Sequence, residues 1–258
     1  MLKRLILLAL AGALAACAAT PARPATSAPM IVLKLDDYFP DTSVHPGWDE
    51  AFRFLNAEGV LASVGVVGQG FERPDPHAIQ WLLDQHGRGH ELWNHGYCHC
   101  RSGKGEADVR EFRGSSFEDQ LRAISRTQAL GRDVLGISFT SFGAPYNSTD
   151  ASTALALARH GELSVWMYKD TSHKAAPTDK RLLDRVAEVN IEYPVHIPDF
   201  DQFLTGYAAN RDKQVLIIQG HPRSWGDEPE RMEEFKRIVR YLKADGARFV
   251  TPMGAVSD

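Results

Sequence analysis

Met30-Ile31-Val32-Leu33-Lys34-Leu35-Asp36-Asp37 is the stretch on which the fold turns: Ile31, Val32 and Leu33 open a strand, and it ends on two adjacent carboxylates. Outward from it, short apolar runs alternate with longer amphipathic segments. Trp48, Phe52 and Leu55 share one helical face, with Gly59 as the stop. Residues 61–67 are Val-rich and read as a buried strand, after which Asp75-Pro76 starts a helix carrying Ile79, Leu82 and Leu83. Ser115 with Glu118 fits a capping box ahead of Phe117, Leu121 and Ile124. Residues 137–142 read as a strand, 149–160 as an Ala-rich helix closed by Gly161, and 163–168 as another strand. Residues 189–193 alternate as a weaker strand, and 214–218 form a strong one. Met232, Phe235, Ile238, Val239 and Leu242 then stripe a helix that stops at Gly246, before a last strand at 248–251. Strands alternating with helices at spacings of about 25–40 residues imply an α/β fold with a parallel sheet. Seven or eight such units in one domain favour a (β/α) barrel over an open sheet, with no second domain and no internal repeat.

The chain of 258 residues is 43% apolar, ordinary for one globular core of this size. That composition excludes a multi-pass membrane protein, a disordered tail and a disulfide-stapled mini-domain. A net charge of −4 without a long basic run argues against nucleic acid as a partner. The N-terminus is a separate matter. Met1-Leu2-Lys3-Arg4 is a basic start, and the apolar run at 5–16 is shorter than the roughly 20 residues that span a bilayer, so the pair reads as a signal peptide. The run ends Leu14-Ala15-Ala16-Cys17, which resembles the bacterial lipobox, in which the cysteine is lipidated; the plainer alternative is cleavage near Ala16 with Cys17 incidental. Residues 18–29 are a tether rich in Ala, Pro and Thr, and at about 3.1 Å per residue it reaches roughly 35–40 Å. The expectation is a lipoprotein signal peptide at 1–17, a tether at 18–29 and one catalytic domain at 30–258. Such a protein is exported and held by a lipid on Cys17 at the periplasmic face of the envelope. Ala18 in place of an aspartate leans toward the outer membrane in a Gram-negative host.

In a barrel of this kind chemistry gathers where the strands end. Four places qualify: Asp36-Asp37, the stretch 90–99, Pro145-Tyr146 and His221. Adjacent carboxylates can divide the labour, one holding a metal and the other taking a proton, although Asp-Asp also merely favours turns. His95 and His99 have the i, i+4 spacing that lets two imidazoles on one helical face reach one cation. His86 and His90 have it too, and spacing alone does not choose between the pairs. Position favours His95 and His99, which follow the apolar turn at Leu92-Trp93. Cys98 and Cys100 flank His99, but a structural zinc site wants four closed ligands and the only other cysteine is Cys17. A disulfide between residues separated by a single position is not expected either.

The residues resemble the polysaccharide deacetylase family (the NodB-homology domain, carbohydrate esterase family 4). The family's first motif, T-F-D-D-G, stands here as Lys34-Leu35-Asp36-Asp37-Tyr38. The second, G-H-E-x-x-N-H-x-x-x-H, is matched best: Gly89-His90-Glu91-Leu92-Trp93-Asn94-His95-Gly96-Tyr97-Cys98-His99, in the H-G-Y-x-H form of a divergent branch. The third, R-x-P-Y-G, stands as Gly143-Ala144-Pro145-Tyr146-Asn147, and a late strand ends Ile217-Ile218-Gln219-Gly220-His221. The resemblance implies a deformed (β/α) barrel and a divalent metal, expected to be Zn2+, on Asp37, His95 and His99. It implies Asp36 as general base, the Tyr146 backbone N–H as an oxyanion donor and His221 as proton donor to the departing amine. The implied reaction is removal of acetyl groups from N-acetylated amino sugars of an envelope or exopolysaccharide glycan. Three positions depart from the pattern: Gly143 replaces the arginine that orients the base, Tyr38 replaces a glycine, and Gln219 stands where an apolar residue lines the acetyl pocket. Trp166 and Asp170 are expected to help position His221. Trp93, Tyr38 and Trp225 are the aromatics available to stack on a sugar, against the commoner role of core residues. His45, His77, His160, His173 and His196 read as surface or core histidines. Two alternatives remain: a C–N hydrolase of a small amide or cyclic ureide, and a non-catalytic lipoprotein that binds glycan or metal.

Overall fold

The computed structural model describes residues 28–169 and 178–257. The leader with Cys17, nearly all of the tether, Asp170 and His173 lie outside the described residues. In chain order the elements are β1 (Met30–Tyr38), α1 (Pro46–Glu58), β2 (Ser63–Val66), α2 (Pro76–Gly87), β3 (Glu91–Asn94), β4 (Arg101–Ser102), β5 (Val109–Arg110) and α3 (Phe117–Leu135). They continue with β6 (Ser141–Gly143), α4 (Ala151–Leu157), β7 (Val165–Met167), β8 (Arg181–Leu183) and α5 (Phe200–Asn210). The last are β9 (Val215–Gly220), α6 (Pro222–Trp225), α7 (Pro229–Ala244), β10 (Arg248–Phe249) and α8 (Pro252–Ser257).

All pairings in the main sheet are parallel. From β1 the order runs β2-β3-β6-β7-β8. The other edge of β1 takes β9 over its first six residues, from Met30 against Val215 to Leu35 against Gly220. The sheet curls into a partial barrel with helices outside, which is the deformed (β/α) barrel expected from the sequence. Helix ends follow local chemistry. Gly59 closes α1 at φ 66°, and the Asp75 carboxylate caps α2 by accepting from His77 N and Ala78 N. The cap of α3 is Ser116 rather than Ser115: Ser116 Oγ accepts from Asp119 N, whereas Ser115 Oγ donates back to Glu111 O.

Strand parity decides what faces where. Ile31, Leu33 and Leu35 enter the layer between sheet and helices with Trp48, Phe52, Phe235 and Ile238. Val32 points the other way, into the barrel, with Trp93, Val165, Met167 and Ile217. Lys34 and Asp36 share the parity of Val32, so two charged side chains are carried into the interior of the barrel, where both are buried.

Residues 189–193 do not form a strand; only an isolated bridge, Glu192 to Pro198, is present. Their alternation is real but serves another purpose. Val189 and Ile191 pack in the core. The Asn190 side chain accepts from Gln219 N at 2.8 Å and Glu192 accepts from His221 N at 2.7 Å, so side chains cap β9 where a ladder partner would otherwise lie.

Candidate active site

Adjacent residues on a regular strand point to opposite faces, yet Asp36 and Asp37 meet in one cavity. The backbone supplies the means. The register of β1 against β2 shifts between Leu35 and Tyr38, and Asp37 adopts φ 70°. An irregularity of this kind at a strand end redirects a side chain. Asp36 stays on the inner face, and Asp37 swings round beside it.

His95 and His99 reach Asp37 from the loop after β3, not from a helix. Their Nε2 atoms lie 3.0 and 3.1 Å from Asp37 Oδ1. The loop is folded by Gly96 at φ 72° and His99 at φ 53°. Glu111, buried beneath it, accepts from Tyr97 N at 2.5 Å, Cys98 N at 3.2 Å and His99 N at 2.7 Å. A Cβ on Gly96 would come within 3.0 Å of that carboxylate, so glycine serves there twice. Contrary to expectation, Cys98 and Cys100 form a disulfide. An extended chain would hold their Cα atoms roughly 6.6–7.2 Å apart. The left-handed His99 between them shortens this to 5.1 Å, within disulfide reach. With both thiols joined, neither is a zinc ligand. The rival pair does not converge: His86 is exposed on α2, whereas His90 is buried, accepting from Ala62 N and bonded to Asn56. Burial lowers the pKa of His90 to about 4.

The donor set fits a metal. His95 Nδ1 lies 2.7 Å from Gly143 O, which can only accept, so Nδ1 holds the hydrogen and Nε2 turns its lone pair toward Asp37. A lone pair facing a carboxylate oxygen at 3.0 Å is repulsive unless a proton or a metal cation lies between them. His99 brings a second imidazole to the same oxygen. The ligand atoms of all three residues lie within 4.8 Å of one another. Two imidazoles and one carboxylate suit zinc-like divalent ions and leave room for water. With protons rather than an ion in that gap, burial works against the charge on Asp37, but hydrogen bonds and charge from His95 and His99 outweigh it and hold its carboxyl well below the usual range.

On the other side of Asp37 stands His221, just past the end of β9. Its Nδ1 lies 2.7 Å from Glu192 Oε2, and its Nε2 lies 3.9 Å from Asp37 Oδ2. Burial favours the neutral ring, yet Glu192 reverses that and lifts the pKa to about 9. Glu192 also accepts from Trp225 Nε1 and is itself fully buried. Sequence reading missed it. Of the two expected helpers, Trp166 is buried in the layer beneath the helices, and Asp170 lies outside the described residues. Asp36 is bonded to Lys34 and to Gln219, whose Nε2 donates to Asp36 Oδ2 at 2.8 Å. Gln219, expected in the acetyl pocket, therefore holds a carboxylate.

Tyr146 adopts φ 60° after β6, and its hydroxyl donates to His99 O at 3.0 Å. All six residues singled out from the sequence, Asp36, Asp37, His95, His99, Tyr146 and His221, line one cavity of about 310 Å³. His196, set aside in the sequence, lines it too, with its ring 4.6 Å from that of His221. Trp93, Tyr38 and Trp225 are buried and offer no sugar platform, whereas Tyr146 is 38% exposed at the rim.

The model of the family described as polysaccharide deacetylase matches residues 23–164, which hold Asp36, Asp37, His95, His99 and Tyr146. The chain belongs to the polysaccharide deacetylase family. His221 and its partner Glu192 fall beyond the matched stretch. The fold agrees with solved relatives of that family. The Xyl-CE4 domain of a multidomain xylanase from the hindgut metagenome of Trinervitermes trinervoides is 15% identical, with a TM-score of 0.61 over 89% of this chain and 90% of that one. A family 4 acetyl xylan esterase from Clostridium thermocellum, in complex with a cobalt ion, is 18% identical, with a TM-score of 0.60 over 88% and 90%. A CE4-family pseudoenzyme from Bacillus anthracis is 13% identical, with a TM-score of 0.58 over 87% of this chain and 64% of that one. A comparison with curated proteins returns no match.

Proposed function

We propose that this polysaccharide deacetylase removes acetyl groups from N-acetylated amino sugars of an envelope or exopolysaccharide glycan, using a divalent metal, Zn2+, held by Asp37, His95 and His99. The observation that carries the reading is the convergence of that ligand set with Asp36 on one flank and His221 on the other, at 3.9 Å from His95 Nε2 and from Asp37 Oδ2 respectively. When bound, such a metal supplies a Lewis acid and lowers the pKa of water toward neutrality. Asp36 takes a proton from the attacking water. The Tyr146 backbone N–H donates to the oxyanion as the acetyl carbon becomes tetrahedral. His221, kept charged by Glu192, gives its proton to the departing amine nitrogen, so water supplies the hydroxyl of acetate and the amine leaves neutral. An extended substrate is supported by the neighbouring hollows: Tyr146 and Asn147 also border one of about 320 Å³, and Arg110 borders one of about 720 Å³.

The test is acetate release from acetylated chito-oligosaccharides by zinc- or cobalt-loaded protein. Asp36→Asn is expected to keep its metal and lose about 10²–10⁴-fold in kcat, and Asp37→Ala to lose the metal. Metal-loaded wild type that releases no acetate from any acetylated glycan would overturn the reading. We also propose export and lipid anchoring through Cys17. Cys17→Ser should move the protein from the membrane to the soluble envelope fraction, and an unchanged distribution would rule the anchor out.

A further inference from the structure

Among the described residues Lys34 is the one cation buried inside the barrel beside the site, and the proposed reaction leaves it idle. It is fully buried, two residues before Asp36 on the same face of β1. Its ammonium lies 2.8 Å from Asp36 Oδ1, 2.5 Å from Asp36 Oδ2 and 3.3 Å from Asn147 Oδ1. Three donors meet three acceptors. The rings of Trp93 and Tyr168 stand 4.9 and 5.0 Å from the same nitrogen. Asp36 lines the cavity, whereas Lys34 does not.

Gly143 is the complement of this arrangement. A Cβ there would lie 2.9 Å from Trp93 Cζ3 and 3.1 Å from Lys34 Cε. The space that a side chain on β6 would fill is shared by the Trp93 ring from β3 and the lysine from β1. A buried ion pair is seldom worth more to stability than an apolar pair of equal volume, so stability alone is a poor reason for Lys34.

We propose that Lys34 is the positioning residue for the base: it holds both oxygens of Asp36, fixing the plane of the carboxylate at the wall of the cavity, and does so in space left by Gly143. The inference rests on the deacetylase reading for its kinetic consequence but not for its geometry. Gln219 reaches only one of the two oxygens and cannot set the carboxylate plane alone.

Lys34→Met keeps the apolar stem and removes the charge. With zinc-loaded protein and acetylated chito-oligosaccharide, kcat is expected to fall about 100-fold with KM little changed. Metal content should stay that of wild type. In Lys34→Ala, added ethylammonium should restore part of kcat in a saturable way, and it should do nothing for Asp36→Asn. If Lys34→Met does not fold, Lys34→Gln takes its place in the comparison. A kcat within threefold of wild type overturns the proposal, as does a loss that merely tracks lost metal or lost fold. If the wild type releases no acetate, it is the deacetylase reading that fails. The crystal structure of Lys34→Met then decides the matter: a displaced Asp36 carboxylate upholds the assignment, and an unmoved one refutes it.

Discussion

At His221 two influences oppose each other, burial favouring a neutral ring and the Glu192 carboxylate at 2.7 Å favouring a charged one, and the carboxylate wins. A proton donor must hold its proton at working pH, so the raised pKa extends activity on the alkaline side. Glu192→Gln leaves burial opposed only by the weaker pull of Asp36 and Asp37. The alkaline limb of the kcat/KM profile should then move down by about one pH unit or more, and a limb that stays in place would count against the pairing. The same pair bears on stability. Its folded-state pKa of about 9 lies above the ordinary 6.5, so its contribution is complete below pH 6.5 and is lost as the pH rises through 9. Asp36, Asp37, His95 and His99 were legible in the sequence because they stand at a strand end and after an apolar turn, in short motifs that resemble the family's; spacing alone did not choose them. Glu192 was not, because it lies 29 residues from His221 in a segment without regular structure. Its signal was the polar half of the alternation at 189–193, read as a strand. The polar residues there reach side chains and backbone of β9 instead of facing solvent.

The loop that carries His95 and His99 is held in two unequal ways. Closing a ring as small as Cys98–Cys100 restricts the unfolded chain by only about 1–2 kcal/mol. Glu111 accepts three backbone N–H groups at once, and charge-assisted bonds are worth about 1.5–3 kcal/mol each. The carboxylate should therefore matter more. Glu111→Gln, which replaces one acceptor oxygen by a donor facing an N–H, is expected to weaken zinc binding by about 10–100-fold. Cys98→Ser/Cys100→Ser should weaken it by at most about tenfold. Competition with a chromophoric chelator measures both, and the reverse order would refute this account. The elements themselves were largely legible. Gly59, Asp75 and the stripe in α7 fall where periodicity and capping put them. The i, i+4 histidines were read as helical, and the loop defeats that reading because two left-handed residues, Gly96 and His99, give the same convergence without a helix.

For the molecule as a whole, the proposed metal ligands join the end of β1 to that of β3, across the intervening β2, so binding should brace the mouth of the barrel. A ligand at 100 times its Kd adds about 2.7 kcal/mol. For a domain of this size that corresponds to a rise in Tm of about 5–10 °C over protein stripped with EDTA. The rise should vanish in Asp37→Ala; a wild type that melts at the same temperature with and without zinc would contradict the ligand assignment. The barrel itself could be read from the alternation of strands and helices. Its incompleteness could not, because the segment at 189–193 alternates as a strand would, yet it meets β9 through the side chains of Asn190 and Glu192 instead of a backbone ladder. Lys34 and Gly143 carry a consequence for descent. An arginine arriving at 143 while Lys34 remains would strike Trp93 and set two cations against one carboxylate; a Lys34 lost while Gly143 remains would strand that carboxylate without any. Lineages can exchange one solution for the other only by paired substitution, so the two positions should have been inherited together.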